Sequence, residues 1–502
     1  MTVINPNSIS GITSITLPSG GDNVLTIHTN DGTERFRIDS SGNVKVGSAC
    51  TISQDGDVFF TGVCTATTLS GAASGLTGAL PAIDGSALTG IAATDNVRTG
   101  ILDVAGIATF RNTMNVGTAV TISESGIEAT GVGITVANIN GAQIGGRRNL
   151  VINGAMNVAQ RGTSSTGTGY VTIDRFNTDY GGENEAPTYE QGDVASGTTP
   201  YTEGFRKTWK ITNGNQTGGA GAGDYIFVRT KIEAQDLAKS GWDYTSSSSF
   251  ITLSFWVKSS VAQTFYGRLE SVDGTSRNFP YSYAVSANTW TKVVKTIPGN
   301  TSPTIQIDDN NGSGMELHWQ VFRGTNFTDS GVSLDTWATY ASGTRTPDAT
   351  STWWTTDDAT WELTGVQLEV GSQATAFEHR SFGEELALCQ RYYYRWTAGS
   401  TNRYVWMGQS YSTSTCFGII KQLPVTMRAV PTSTVSGTFT PFGDDGSTNG
   451  HSSFSNTNID QNNVDHIGTS GWGGASGVGG GGRAVVVTAS GATDYIDASA
   501  EL

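Results

Sequence analysis

The stretch Phe250-Ile-Thr-Leu-Ser-Phe-Trp-Val-Lys258 indicates the fold class of this chain. Apolar side chains occupy every second position in it: Ile251, Leu253, Phe255 and Val257. Because side chains alternate across a strand, a period of two predicts a β strand with one buried face. Residues 315–322 repeat the pattern, and the phase slips at Gly365 in residues 361–370, which predicts a bulge.

The composition indicates an all-β protein. The 502 residues include 65 glycines, and only 15% of the residues are charged. Soluble chains usually carry about 25% charged residues and about 7% glycine. This composition disfavours helical bundles and doubly wound enzymes, and it favours short strands with many turns. At roughly 100–200 residues per domain, the length predicts three or four domains.

The charge limits the partners. The formal net charge is −15, and no basic run is longer than Arg147-Arg148. A phosphate backbone would be repelled, so we expect no nucleic-acid partner. No apolar run approaches the roughly 18 residues of a membrane span, so we expect no membrane insertion.

Repeats dominate residues 46–146, which we interpret as a repetitive β shaft. Val46-Gly-Ser-Ala-Cys-Thr-Ile-Ser53 recurs as Val116-Gly-Thr-Ala-Val-Thr-Ile-Ser123, and Gly42 and Gly56 begin similar tripeptides 14 residues apart. One repeat cannot enclose enough apolar area to offset its ordering entropy. We therefore predict a homotrimeric shaft to which each chain contributes one strand; a single-chain solenoid is the alternative. Cys50 replaces Val120 in the repeat and is expected to be a packed, unreactive thiol.

Residues 147–380 are predicted to form a jelly-roll β sandwich that could hold sugar on its outward face. Flat aromatic rings beside polar groups suit sugar binding, and packing under loops or between chains is the alternative. The candidate glycan-binding residues are Tyr266, Arg268, His318, Gln320, Trp353 and Trp354.

The remainder is predicted to be a connector helix over residues 381–396 and a small β domain over residues 397–502. Ser381 and Glu384 have the spacing of a capping box, and Arg391 and Arg395 are expected in the last helical turn. Residues 443–483 form a polar, Gly-rich excursion, interpreted either as a receptor contact or as a solvated connection.

No catalytic constellation stands out. Asp308-Asp309 and Asp357-Asp358 are adjacent pairs, and neighbouring residues of a strand point to opposite faces. No GxSxG or HExxH is present, so we expect no enzyme, no catalytic or metal-binding residues and no cofactor. A structural calcium would suit such a sandwich, but no spacing specifies one.

Several segments resemble phage structural proteins. Thr33-Glu-Arg-Phe-Arg-Ile-Asp-Ser-Ser-Gly-Asn-Val44 resembles a tail-fibre repeat, and Gly62-Val-Cys-Thr-Ala-Thr-Thr-Leu-Ser-Gly71 resembles shaft repeats of marine cyanophages. Asn149-Leu-Val-Ile-Asn-Gly-Ala-Met-Asn-Val-Ala-Gln-Arg-Gly162 and Glu384-Glu-Leu-Ala-Leu-Cys-Gln-Arg-Tyr-Tyr393 resemble the opening and the close of a tail-fibre domain. Residues 250–258 and the strand-like segments after them are similar to carbohydrate-binding-module sandwiches.

The resemblance implies a virion protein: a homotrimeric tail fibre or tail-associated adhesin that recognises host polysaccharide or lipopolysaccharide without catalysis. Residues 1–45 would then attach it to other tail or capsid proteins. A capsid fibre or structural connector, and a glycan-cleaving tailspike, are the alternatives.

Overall fold

The structure is a computed structural model that describes residues 24–62, 114–116, 120–123, 126–129, 148–442, 452–476, 478 and 480–502. The chain divides into two units, Met1–Arg111 and Asn112–Leu502. The predicted attachment region before residue 24, most of the predicted shaft after residue 62, and residues 443–451 lie outside the described residues.

The first unit contains a five-stranded antiparallel meander, whose strands pair in chain order. Its strands are β1 (Leu25–His28), β2 (Glu34–Ile38), β3 (Val44–Val46), β4 (Cys50–Ile52) and β5 (Val58–Phe60). The 14-residue spacing of Gly42 and Gly56 marks two equivalent hairpin turns, since both glycines have left-handed φ values, +85° and +89°. Glycine adopts such values without a Cβ clash.

The meander contains no buried residue among positions 24–62. Phe59 and Phe60, neighbours on β5 and therefore on opposite faces, are 59% and 49% exposed. The strands pair within one chain, whereas the sequence predicted one strand from each of three chains. Cys50 is half-buried, so it is not a core residue within this single chain.

The predicted eight-residue repeat is a repeated hairpin. In the first copy β3 pairs with β4, and Val46 lies opposite Cys50. In the second, β6 (Met114–Val116) pairs with β7 (Val120–Ser123), and Val116 lies opposite Val120. A third strand, β8 (Gly126–Ala129), pairs with β7. The sequence repeat therefore reflects one backbone register used twice.

Two six-stranded antiparallel sheets form the sandwich in the second unit. The first sheet, in spatial order, consists of β10 (Phe176–Gly181), β13 (Tyr225–Glu233), β18 (Ser313–Arg323), β15 (Gln263–Ser271), β16 (Arg277–Val285) and β19 (Ala338–Thr339). The second consists of β17 (Thr291–Pro298), β14 (Phe250–Ser259), β20 (Thr360–Val370), β12 (Lys207–Thr212), β11 (Thr188–Asp193) and β9 (Ser164–Ser165). Two short helices, α1 (Thr199–Thr202) and α2 (Ala234–Ala238), lie in the connections.

The predicted alternation is confirmed in the sandwich core. Four side chains of β14 face inward and are fully buried: Ile251, Leu253, Phe255 and Val257. The predicted bulge is confirmed as well, because the β14–β20 register shifts where Gly365 has a φ of +65°. The two sheets thus bury their inner faces against each other. The outer face of the first sheet carries the candidate functional site.

The C-terminal part begins with helix α3 (Phe382–Gln390), and the predicted capping box of Ser381 and Glu384 is confirmed. The helix ends six residues earlier than predicted, and Arg391 is its C-cap. Arg395 lies on a strand instead of in a last helical turn, so the prediction for that residue was wrong. The backbone changes conformation because residues from Tyr393 onward pair with the last strand of the chain.

Two further sheets complete the chain. One contains β21 (Tyr393–Thr397), β28 (Tyr495–Ser499) and β24 (Thr432–Ser436). The other contains β25 (Phe439–Phe442), β27 (Ala484–Ala489), β22 (Arg403–Ser410), β23 (Cys416–Gln422) and β26 (His466–Trp472). Within the predicted polar excursion, Trp472 is buried in the core of this second sheet.

Buried ion pairs join the C-terminal part to the sandwich. Glu501 pairs with Arg161 at 3.1 Å and also with the buried Arg175. Glu233, at the end of β13, accepts hydrogen bonds from Arg391 and from the hydroxyl of Tyr392. In the part of the chain that the structure describes, no helix has the length and apolarity needed to cross a membrane.

Candidate functional site

The outward face of the first sheet carries an unusual density of charge. Strand register stacks these side chains in rows across the sheet, because directly opposed residues share a face. His318 on β18 lies opposite Arg229 on β13 and Arg268 on β15. One row further along, Glu316 lies opposite Glu270. A histidine is therefore flanked by two arginines, beside a pair of glutamates.

These groups form a connected network. Glu316 accepts from Arg229 at 3.2 Å and contacts His318 Nε2 at 3.0 Å. The guanidinium of Arg268 donates to Glu270 and lies 3.0 Å from His318 Nε2. Burial, followed by the nearby charge of Arg268, holds the pKa of His318 well below its ordinary value. The imidazole is therefore neutral at pH 7, and the network depends on its arginine–glutamate pairs.

A cleft of about 450 Å³ opens above this network. We call it the charged cleft. Its lining contains four arginines, three acidic residues, one histidine and four aromatic residues: Arg229, Arg268, Arg323, Arg345, Asp179, Glu270, Glu316, His318, Tyr225, Phe227, Phe327 and Tyr340.

Aromatic rings form much of the cleft wall. Phe227 belongs to β13, Phe327 lies between β18 and β19, and Tyr340 directly follows β19. Tyr225 and Phe327 meet edge to face with ring centroids 5.6 Å apart. Tyr225, Phe327 and Tyr340 are each partly exposed, so a ligand in the cleft would meet both ring surface and charge. Apolar rings with a few convergent polar groups are the usual lining of a sugar or small-molecule site.

A bulge brings Arg323 into this lining. Phe227 pairs with Gln320, whereas its neighbour Ile226 pairs with Phe322, so Val321 is an extra residue on β18. An extra residue reverses the side-chain phase of the strand beyond it. Arg323 consequently lines the cleft, while Phe322 packs inward against Trp354 with ring centroids 5.0 Å apart.

Two of the predicted glycan-binding residues lie in the charged cleft. Arg268 and His318 line it, and both are buried within the network. Tyr266 and Gln320 are paired with each other one row further along the sheet and are not part of the lining. The buried Gln320 accepts a hydrogen bond from Thr346.

The prediction for Trp353 and Trp354 was wrong. Both side chains are fully buried in the sandwich core and present no surface to a sugar. The Trp353 indole donates to Thr360 O at 3.0 Å, and the Trp354 indole donates to Gly219 O at 2.7 Å. The loop is polar in sequence, but its two tryptophans pack into the sandwich core, which was the packing alternative.

Glu270, Glu316 and His318 bring three potential metal ligands within 4.8 Å of one another. The residues fit a metal poorly, because the charges of both carboxylates are already compensated. Arg268 pairs with Glu270, while Arg229 and Lys231 pair with Glu316. A divalent ion would lie against the Arg268 guanidinium, so we interpret the group as an ion-pair network.

A second cavity, of about 430 Å³, lies on the C-terminal sheet. It is lined by the apolar side chains of Tyr404, Met407 and Phe442 and their neighbours on β22 and β27. Among the described residues its lining contains no charged side chain, whereas the charged cleft combines rings with several charged groups.

Comparison with known proteins gives structural likeness only. No protein-family model matches the chain, and no curated protein matches it. The structure is similar to a family 11 carbohydrate-binding module from Clostridium thermocellum in complex with a β-1,3-1,4-mixed-linked tetrasaccharide; the identity is 12%, the coverage 41% of this chain and 91% of the module, and the TM-score 0.20.

Two other similar structures are also carbohydrate-binding domains. A xylan-binding domain from Paenibacillus barcinonensis is 9% identical, covering 47% of this chain and all of that domain with a TM-score of 0.22. The N-terminal cellulose-binding domain of a Cellulomonas fimi β-1,4-glucanase is 11% identical, covering 43% and 99% with a TM-score of 0.20. Because these identities and TM-scores are low, the comparisons carry no argument about function. The function is inferred from the residues of the charged cleft instead.

Sequence reasoning missed several residues of the cleft. Arg323 follows the bulge, and simple alternation from His318 would have directed its side chain inward. Phe327, Tyr340 and Arg345 come from a long connection with no periodicity to interpret. Phe227 and Arg229 alternate with the inward Ile226 and Val228, so the period of β13 could have identified them.

Proposed function

We propose that this chain is a phage virion protein, a tail fibre or tail-associated adhesin, that binds host-surface polysaccharide or lipopolysaccharide in the charged cleft without cleaving it. The single observation that carries the glycan-binding part is the joining of exposed rings and charged groups in one concave site. Rings contact the C–H faces of a sugar, and charged side chains hydrogen-bond its hydroxyls. The virion part depends on the resemblance of the repeats and of the segments flanking the sandwich.

We further propose that the protein is a homotrimer assembled through its N-terminal repeats. Support comes from the meander, whose apolar side chains at Ile27, Phe59 and Phe60 are exposed in a single chain. A sheet with uncovered apolar residues on both faces is unstable in water. Copies of the same chain would cover these faces and pair with β1 and β5, the outer strands of the sheet among the described residues. The three weak cleft sites of one trimer would then bind the host surface with higher avidity than a single site.

The absence of catalysis is part of the proposal. Cleavage of a glycosidic bond needs a carboxylic acid that is protonated at working pH beside a second carboxylate. Burial opposes ionisation of Glu316, but its hydrogen bond to His318 and the charges of Arg229 and Lys231 hold its pKa below the ordinary value. Glu316 is thus a carboxylate at neutral pH and does not supply the protonated acid that hydrolysis needs.

Binding to host cells tests the proposal. The fluorescently labelled full chain should adsorb to particular strains in a panel of marine cyanobacteria, and polysaccharide isolated from those strains should compete. Tyr340→Ala, which removes a partly exposed cleft ring, should weaken adsorption about tenfold, in line with the roughly 1.4 kcal/mol that such a ratio represents. Tyr411→Ala is the matched control, since Tyr411 is a strongly exposed tyrosine outside the cleft.

Other outcomes point to the alternatives. Release of reducing ends from the polysaccharide would identify a tailspike enzyme. No adsorption to any strain, together with imaging that places the protein on the capsid, would identify a capsid fibre or connector and overturn the adhesin.

A further inference from the structure

The charges of the cleft are not balanced locally. Arg229 pairs with Glu316 and Arg268 with Glu270, so these two arginines are neutralised by the protein. The other two, Arg323 and Arg345, have no carboxylate partner in the part of the chain that the structure describes. Asp179 also lines the cleft, yet it forms no ion pair with either of them among the described residues.

Arg323 is the more unusual of the two. It is 5% exposed, and its guanidinium makes no hydrogen bond or ion pair among the described residues; its Nε is fully buried without a partner. The only compensation that the structure describes is aromatic, since the guanidinium carbon lies 4.3 Å from the centre of the Phe227 ring. A buried cation without an anion is costly in proteins.

Arg345 also lies close to the Phe327 ring. The guanidinium carbons of Arg345 and Arg323 lie 5.0 and 5.5 Å from the centre of that ring. Arg345 uses its Nε and one terminal nitrogen to donate to the Tyr340 hydroxyl and to Ser342 O. Burial, and after it the charges of Arg268 and Arg345, lower the pKa of Arg323 to about 9, as expected for crowded positive charge.

We propose that the glycan bound in the charged cleft is acidic, and that its carboxylate or sulfate group pairs with Arg323 and Arg345. This inference rests on the proposed glycan-binding function and specifies the class of sugar. A planar guanidinium matches both kinds of anion with two parallel hydrogen bonds. The rings of Phe327 and Tyr340 would contact the rest of the same sugar.

The overall charge restricts the ligand further. A net charge of −15 repels a dense polyanion at long range. Within the cleft, charges only a few ångströms apart are screened little by salt. A glycan with one acidic residue per repeating unit therefore suits the site better than a uniformly charged polymer.

Matched acidic and neutral glycans test this inference. The full chain is applied to an array of uronic-acid, ulosonic-acid and sulfated oligosaccharides, each beside its carboxyl-reduced or desulfated counterpart, and the bound ones are measured by calorimetry. We expect at least tenfold tighter binding of the acidic member of a pair. Loss of binding on carboxyl reduction identifies a carboxylate as the anion, and loss on desulfation identifies a sulfate.

Two variants locate the effect. Arg323→Met should remove the acidic preference while leaving the melting temperature unchanged or higher, because it removes a buried charge that has no protein partner. Arg345→Gln should reduce the preference as well, and it applies the same test if Arg323→Met fails to fold. Arg277→Gln is the control, since Arg277 also lacks an ion pair among the described residues but lies outside the cleft.

Each result separates this inference from the proposed function. Equal binding of acidic and neutral members, or a preference that survives both cleft variants, overturns the inference and leaves glycan binding intact. Binding of no glycan on the array, together with no adsorption to cells, overturns both.

Discussion

The meander of residues 24–62 and the sandwich of the second unit are both antiparallel β structures, yet only the sandwich buries a core. None of the described meander residues is buried, whereas the sandwich encloses a continuous cluster that includes Trp209, Trp319 and Trp361. The meander strands have three to five residues, while β14, β18 and β20 have ten or eleven. Long strands with large alternating side chains form sheets that pack face to face and bury a core. Short strands between glycine turns bury too little apolar surface alone and need another surface to cover them.

The largest expected effect comes from emptying the sandwich core. Trp319 is fully buried and meets Phe255 edge to face at 5.7 Å. Trp319→Ala should lower the free energy of unfolding by about 3–5 kcal/mol, as measured by denaturant titration. Phe59→Ala in the meander is the comparison, and it should change the stability of an isolated chain by less than about 0.5 kcal/mol. A loss of several kcal/mol from Phe59→Ala in a monomer would show that the meander is covered within one chain.

A buried ion pair gives the next effect. Glu501→Gln would leave Arg175 buried without its carboxylate partner. We expect a loss of about 3 kcal/mol in unfolding free energy, because removing one partner leaves the other charge buried and uncompensated. Lys207→Gln removes a partner of the exposed Asp193 and should cost less than about 1 kcal/mol. Equal effects of the two substitutions would contradict the burial argument.

Two glycines separate backbone strain from crowding. Gly365 and Gly56 both have left-handed φ values, +65° and +89°. A Cβ at Gly365 would lie 2.7 Å from the Phe205 ring, whereas a Cβ at Gly56 would meet nothing within 4 Å. Gly365→Ala should cost about 2–3 kcal/mol and Gly56→Ala about 1 kcal/mol, measured as shifts in denaturant midpoint. Equal losses of stability would mean that the left-handed backbone alone sets the cost and that contact with the Phe205 ring adds nothing.

The smallest effect concerns acid sensitivity of the cleft. His318 has a pKa well below its ordinary value in the folded protein, because it is buried and faces Arg268. The unfolded chain therefore binds the proton first, and stability falls as the pH drops below about 6.5, by at most about 1.4 kcal/mol per pH unit. His318→Gln should remove this component when unfolding is compared between pH 7 and pH 5.

Asp174 acts in the opposite direction, since burial raises its pKa to about 6 and its protonation favours the folded state. The Asp174 contribution is the same in the wild type and in His318→Gln, so it cancels when their pH profiles are subtracted. Identical pH profiles for wild type and His318→Gln would contradict the placement of His318 in the network.

The features that could be predicted from the sequence are those set within a single strand or helix end. Strict alternation identified β14 and β18, and the phase slip at Gly365 identified a bulge, because burial of one face imposes a period of two. Ser381 and Glu384 identified the helix start, because capping is local. The bulge at Val321 changes the facing of Arg323 through pairing with β13, which one strand alone does not reveal. The burial of Trp353 and Trp354 depends on residues distant in the sequence, such as Phe322, which packs against Trp354.

The central claim is that an acidic sugar lies in the charged cleft of the sandwich, and a structure of the chain with its bound oligosaccharide tests it most directly. We predict an anionic oxygen within hydrogen-bonding distance, about 2.7–2.9 Å, of the Arg323 guanidinium, with a sugar ring against Phe327 or Tyr340. A sugar bound elsewhere, or an anionic group directed to solvent with Arg323 uncontacted, would contradict the account.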